Sequence, residues 1–65
     1  MTRGITLTIE LARASAQDAG NAHMRKHGRK AWSADDWNVS CDTLYRLMKH
    51  LPAPYPEIAR QMEAA

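Results

Sequence analysis

Residues 32–37, Trp-Ser-Ala-Asp-Asp-Trp, dictate where a helix starts and the angle at which the chain reaches it. Ser33 suits the N-cap, its hydroxyl accepting from the backbone N–H of Asp36 or Asp35. Asp35 and Asp36 place negative charge in the first turn, where the helix dipole favours it. Trp32 and Trp37 then fall at N′ and N4, the two positions of a hydrophobic staple. Both tryptophans of the chain are thereby drawn to one corner.

From that start the spacing predicts a helix over about 34–50. Trp37, Cys41, Leu44, Met48 and Leu51 recur at intervals of four, three, four and three, the apolar stripe of an amphipathic helix. With Trp32 they form the expected core, and Tyr45 and Leu47 widen the face. Lys49 and His50 suit the C-terminal end, and Pro52 stops the helix.

Upstream, Ile5, Ile9, Ala12, Ala16, Ala19 and His23 keep a seam at heptad spacing. Leu7, Leu11 and Ala14 fall on the opposite face. A helix over about 7–27 accommodates both, ended by Arg25-Lys26-His27 and by Gly28 at C′. The small residues of the seam let a second backbone approach, and Trp37, Leu44 and Met48 are the expected fillers. A strand competes for residues 4–11, where Ile5, Leu7, Ile9 and Leu11 alternate strictly with Thr6, Thr8 and Glu10. Residues 28–32 make a short connection that suits antiparallel neighbours. Beyond Leu51 lies a Pro-rich tail, 51–65, in which Pro52, Pro54 and Pro56 space an extended segment. Pro56 is placed as N1 of a short third helix from Glu57 to Glu63, with Ile58 and Met62 on one side.

The expected fold class is therefore all-α: a two-helix antiparallel hairpin, a Pro-rich tail and a short third helix, in one domain. Sixty-five residues with a single cysteine allow no internal disulfide, and a core this small is thin. Association makes up the deficit, so a homodimer, or folding against a partner, is expected. No apolar run approaches the ~18 residues of a membrane span, and no signal-peptide pattern stands at the N-terminus. A cytoplasmic protein, in a bacterial host, is the resulting expectation.

Catalysis has little to stand on. There is no Gly-rich phosphate loop, nucleophile elbow or metalloprotease motif. Cys41 lies on the apolar stripe and reads as a small hydrophobe, and Asp42 beside it disfavours a thiolate. His23 and His27 have an i, i+4 spacing that suits a metal, but Cys41 and His50 would have to converge from other segments. No enzyme, metal site or cofactor is expected. The functional-looking features are charged. Arg25, Lys26, Arg29 and Lys30 cluster about the connection, where they suit phosphates or an acidic protein surface. Along the second helix Asp35, Val39, Asp42 and Arg46 oppose the core stripe, flanked by Tyr45 and Lys49. Tyr and Arg are the residue types that carry binding hot spots. Arg25, Arg29, Tyr45, Arg46 and Lys49 are the expected partner-binding residues.

Gly20-Asn21, Met24-Arg25, Gly28-Arg29, Trp32 and Asp36-Trp37 form a pattern that resembles small helical accessory proteins of bacterial phages and mobile elements. It covers about half the chain. The resemblance implies a protein that binds a host protein, such as a transcription activator, and inhibits it by covering a functional surface. A weaker resemblance is to ribbon-helix-helix repressors. It implies a small dimeric DNA-binding regulator in which Thr6, Thr8 and Glu10 read bases from a ribbon. Nucleic acid is thus the alternative partner.

Overall fold

The computed structural model describes residues 7–64, which form three helices: α1, Ile9–Lys26; α2, Ala34–Met48; and α3, Tyr55–Ala64. No strand occurs among the described residues. The strand alternative for residues 4–11 lies partly outside them, and its second half is a helix start. Thr8 is the N-cap of α1, and its hydroxyl accepts from Leu11 N–H at 3.2 Å. Glu10 lies in the first turn, where its charge meets the helix dipole.

Both ends of the first connection follow from local chemistry. Gly28 adopts φ +71°, a left-handed conformation that a side chain disfavours. Its N–H donates to Arg25 O and Arg29 N–H donates to Met24 O, each at 3.0 Å. That pair of bonds is a Schellman motif closing α1. Ser33 and Asp36 form a capping box at the start of α2. Leu51 N–H reaches Met48 O at 3.0 Å as α2 ends, and Tyr55 N–H reaches Pro52 O at 3.1 Å as α3 begins. The third helix therefore starts two residues before the expected Glu57, with Pro56 one residue inside it. The outer bounds of α1 and α2 differ from the sequence reading by one or two residues, the usual fraying of helix ends.

The helices lie side by side in one layer. Packing joins α1 to α2 and α2 to α3, while the backbones of α1 and α3 do not approach each other. The Cα atoms span no more than 12 Å in the thinnest direction, less than the roughly 13–15 Å that two stacked helix layers need. Contacts pair Asp36 with His23 and, at the other end, Met48 with the cluster that Ile9 joins. Residue numbers thus rise along α2 as they fall along the facing side of α1. Ala12, Ala16 and Gly20 are buried on α1. The expected seam is packed at Ala12 and Ala16, while Gly20 takes the buried position expected of Ala19, which is itself half-buried. At the open end Met48, Leu51 and Ala59 form the core, with Leu7, Ile9, Leu44, Tyr45 and Tyr55 against them.

Trp37 departs from the expected core: it is 59% exposed. The middle helix of a single layer has neighbours on two sides only, so the front of its apolar stripe stays open. Met48 and Leu51 are buried as expected, whereas Trp32, Cys41 and Leu44 are half-buried. Leu11 is exposed as well, so α1 is not buried on both faces within one chain. No described helix is long and apolar enough to cross a membrane.

Candidate interaction surface

A polar knot holds the corner between α1 and α2. The side chain of Asp36 is fully buried at N3 of α2. Its Oδ1 accepts from His23 Nδ1 at 2.7 Å and from Arg29 Nη2 at 2.6 Å. Its Oδ2 accepts from Ser33 N–H at 2.8 Å, and from Arg29 Nε and Ser33 Oγ at 3.3 Å each. Five donors from three segments thus converge on one carboxylate. Burial alone would raise the pKa of Asp36. The Arg29 guanidinium outweighs it, aided by His23 and Ser33 N–H, and holds the carboxyl well below the usual carboxylate range. Reciprocally, the carboxylate raises the pKa of Arg29. A buried charge is tolerable only when it is paired and hydrogen-bonded in this way.

An aromatic lock stands beside the knot. Trp32 lies over Gly20, and its Nε1–H donates to Asn21 Oδ1 at 2.8 Å. The rings of Trp32 and Trp37 meet edge to face, with centroids 4.6 Å apart. The hydrophobic staple is therefore formed, with Trp32 on the inside and Trp37 on the outside. Gly20, Asn21, Gly28, Arg29, Trp32, Asp36 and Trp37 all belong to this corner and its connection.

The knot has the residue types of a catalytic triad without its connectivity. Ser33 Oγ and His23 Nδ1 both donate to Asp36, so the hydroxyl is not aimed at the imidazole as an activated nucleophile would be. Among the described residues no cluster of three or more His, Cys, Asp or Glu side chains forms a metal-binding set. Cys41 is a half-buried free thiol.

The five expected partner-binding residues are not brought together. Arg29 is turned inward onto Asp36 and serves the corner; its charge is consumed by a buried partner that the sequence reading had assigned to the dipole alone. Tyr45 packs on the Met48–Leu51–Ala59 core, and burial, together with Cys41 beside it, pushes its phenol above the ordinary range. Arg46 pairs with Asp42 one turn before it. Lys49 pairs with Glu63 at 2.7 Å, tying α2 to α3. Arg25 remains exposed on the last turn of α1. The charged strip is thus mostly engaged in internal pairs.

The open surface lies elsewhere. Two adjoining recesses occupy one side of the layer. The first, of about 440 Å³, lies between α1 and α2 and is bordered by Ala16, Asn21, Trp32, Trp37 and Ser40. The second, of about 320 Å³, is walled by Ile9 on α1, Met48 on α2, and Tyr55, Ile58 and Met62 on α3. Arg13 and Leu44 border both. Trp37, Met62 (49% exposed) and Ile58 (37% exposed) stand along this side. Periodicity had marked these residues as apolar; which of them lacked a cover depended on the order of the helices. No protein-family model, curated protein or solved structure matches the chain.

Proposed function

We propose that this chain is a non-enzymatic accessory protein of phage or mobile-element type. It binds a host protein, such as a transcription activator, in the host bacterial cytoplasm and inhibits it by covering a functional surface. The working unit is an antiparallel helical hairpin, extended by the Pro-spaced tail and third helix, and present as a homodimer. The observation that carries the reading is the rigid corner, with Arg25 exposed beside it on the last turn of α1. The cross-linked corner keeps the presenting helices in fixed register, and Arg is a residue type that carries binding hot spots. The ribbon-helix-helix alternative loses support, because Thr8 caps α1 and Glu10 lies inside it; Thr6, its remaining base reader, is outside the described residues.

Affinity capture from bacterial lysate, with and without nuclease, tests the proposal. One protein recovered at near-equal stoichiometry despite nuclease, and inhibited when the purified chain is added back, is the expected result. Recovery of nucleic acid, with co-purifying proteins lost after nuclease, would overturn it in favour of a DNA-binding regulator.

A further inference from the structure

The geometry points to a second copy of this chain as the cover of the apolar side, with Trp37 of each copy seated in the other's recess beside α3. This rests on the homodimer in the function proposed above and adds the face, the contacts and the symmetry.

Shape gives the first reason. Stable domains pack at least two layers of secondary structure around a core, and this chain supplies one layer, 12 Å deep. Its buried apolar residues among those described are Ala12, Ala16, Met48, Leu51 and Ala59, of which three are alanines. The missing layer has to be present whenever the chain is folded. A copy of the chain meets that condition, whereas a target protein does so only while bound.

Area gives the second. An aromatic side chain carries roughly 150–250 Å², so the open part of Trp37 offers on the order of 100 Å². With Ile58, Met62 and the half-buried Ile9, Leu44 and Tyr55, the apolar side presents on the order of 300–400 Å² per copy. A standard interface covers about 800 Å² per partner, of which a little over half is apolar. The side therefore provides most of what one such interface needs.

Self-complementarity gives the third. A twofold interface requires that a projection and its receptor lie on the same face of one chain. Trp37 projects from one half of the side, and the recess walled by Ile9, Met48, Ile58 and Met62 opens in the other. Arg13 borders both recesses and makes no ion pair among the described residues. Beside the axis its flat guanidinium can stack on the mate's indole.

The test is made on the full, unsubstituted chain. Light scattering at about 100 μM should give twice the 7.3 kDa of one chain, with a melting temperature that rises with concentration. In a mixed sample of labelled and unlabelled chains, isotope-filtered NOEs should connect Trp37 of one copy to Ile58 and Met62 of the other. Met62→Lys should weaken association at least tenfold. Leu11→Lys, about 200° round α1 from Ile9 and bordering neither recess, should leave it unchanged. A 7.3 kDa particle with a cooperative melt overturns the inference, as do intermolecular NOEs that run through Leu11 rather than Trp37. A monomer that still captures and inhibits one host protein would sink this inference alone. A dimer with these NOEs that captures none would sink only the proposed function.

Discussion

A β-carbon on Gly20 would stand 2.6 Å from Cζ2 and Cη2 of Trp32. The indole therefore occupies the space that any other residue at position 20 would need. The atoms in the way belong to a rigid ring, held through its Nε1–H by Asn21 and packed against Trp37, so they have no easy direction in which to yield.

Gly20→Ala is expected to destabilise the fold although it places the better helix former in mid-helix. The propensity gain is about 1 kcal/mol, and overpacking against a fixed ring costs about 1–3 kcal/mol. The expected net loss, up to about 2 kcal/mol, lowers Tm by up to roughly 15 °C. Trp32→Phe removes the two crowding carbons. A double-mutant cycle should therefore show Gly20→Ala costing less when combined with Trp32→Phe, with a coupling of about 1 kcal/mol. Independent, additive effects would mean that the ring does not sit over Gly20.

Acid should loosen the corner first. The folded-state pKa of Asp36 is held below its ordinary 3.8. Its contribution is thus fully present above pH 3.8 and is lost as the pH falls from there through the folded-state value. Thermal melts from pH 7 to pH 2 should show Tm level at first and falling below about pH 4. Asp36→Asn, which keeps the shape and removes the charge, should lower Tm by on the order of 10 °C at pH 7 and flatten that acid limb. An unchanged acid limb in the variant would assign it to other carboxylates.

Position 28 separates backbone from packing. Nothing lies within 4 Å of a β-carbon placed on Gly28, yet its φ is +71°. Gly28→Ala should cost about 1–2 kcal/mol, the penalty of the left-handed region for an L-residue. Asn tolerates that region better, so Gly28→Asn should cost about half as much. Denaturant melts that rank Asn below Ala would contradict the Schellman closure.

The Lys49–Glu63 tie between α2 and α3 should contribute little. Both side chains are more than a third exposed, and ion pairs of that kind contribute about 0–1 kcal/mol. Glu63→Gln is expected to change Tm by less than about 5 °C, and less still at high salt. A larger loss would mean that the docking of α3 depends on charge rather than on Ala59 and its apolar neighbours.

The sequence-legible features are those decided within a few residues. The Ser33 cap, the tryptophan staple, the Gly28 stop and the small-residue seam of α1 all depend on local spacing, and each is present. The burial of Asp36 was not legible. Its partners His23 and Arg29 come from the facing helix and the connection, and as isolated residues both look like solvated cations at a helix end. Trp37 was misplaced for a related reason. Periodicity finds the apolar face of a helix, but only the order α1, α2, α3 across the layer decides which part of that face is covered. Once Arg29 is consumed by Asp36, and Lys49 by Glu63, the expected charged strip has little left to offer a partner. The apolar side, built from residues on all three helices, is the face left open.

The knot at Asp36 also has a kinetic side. Its side-chain ties join residues no more than 13 apart in the chain, and loops of that size close in about 10–100 ns. Native contacts so local in sequence favour early formation. The turn is therefore expected to form early and to bring the facing ends of α1 and α2 together. If two copies pair as proposed, they meet with this corner already formed, and the rest of each chain settles as the faces come together.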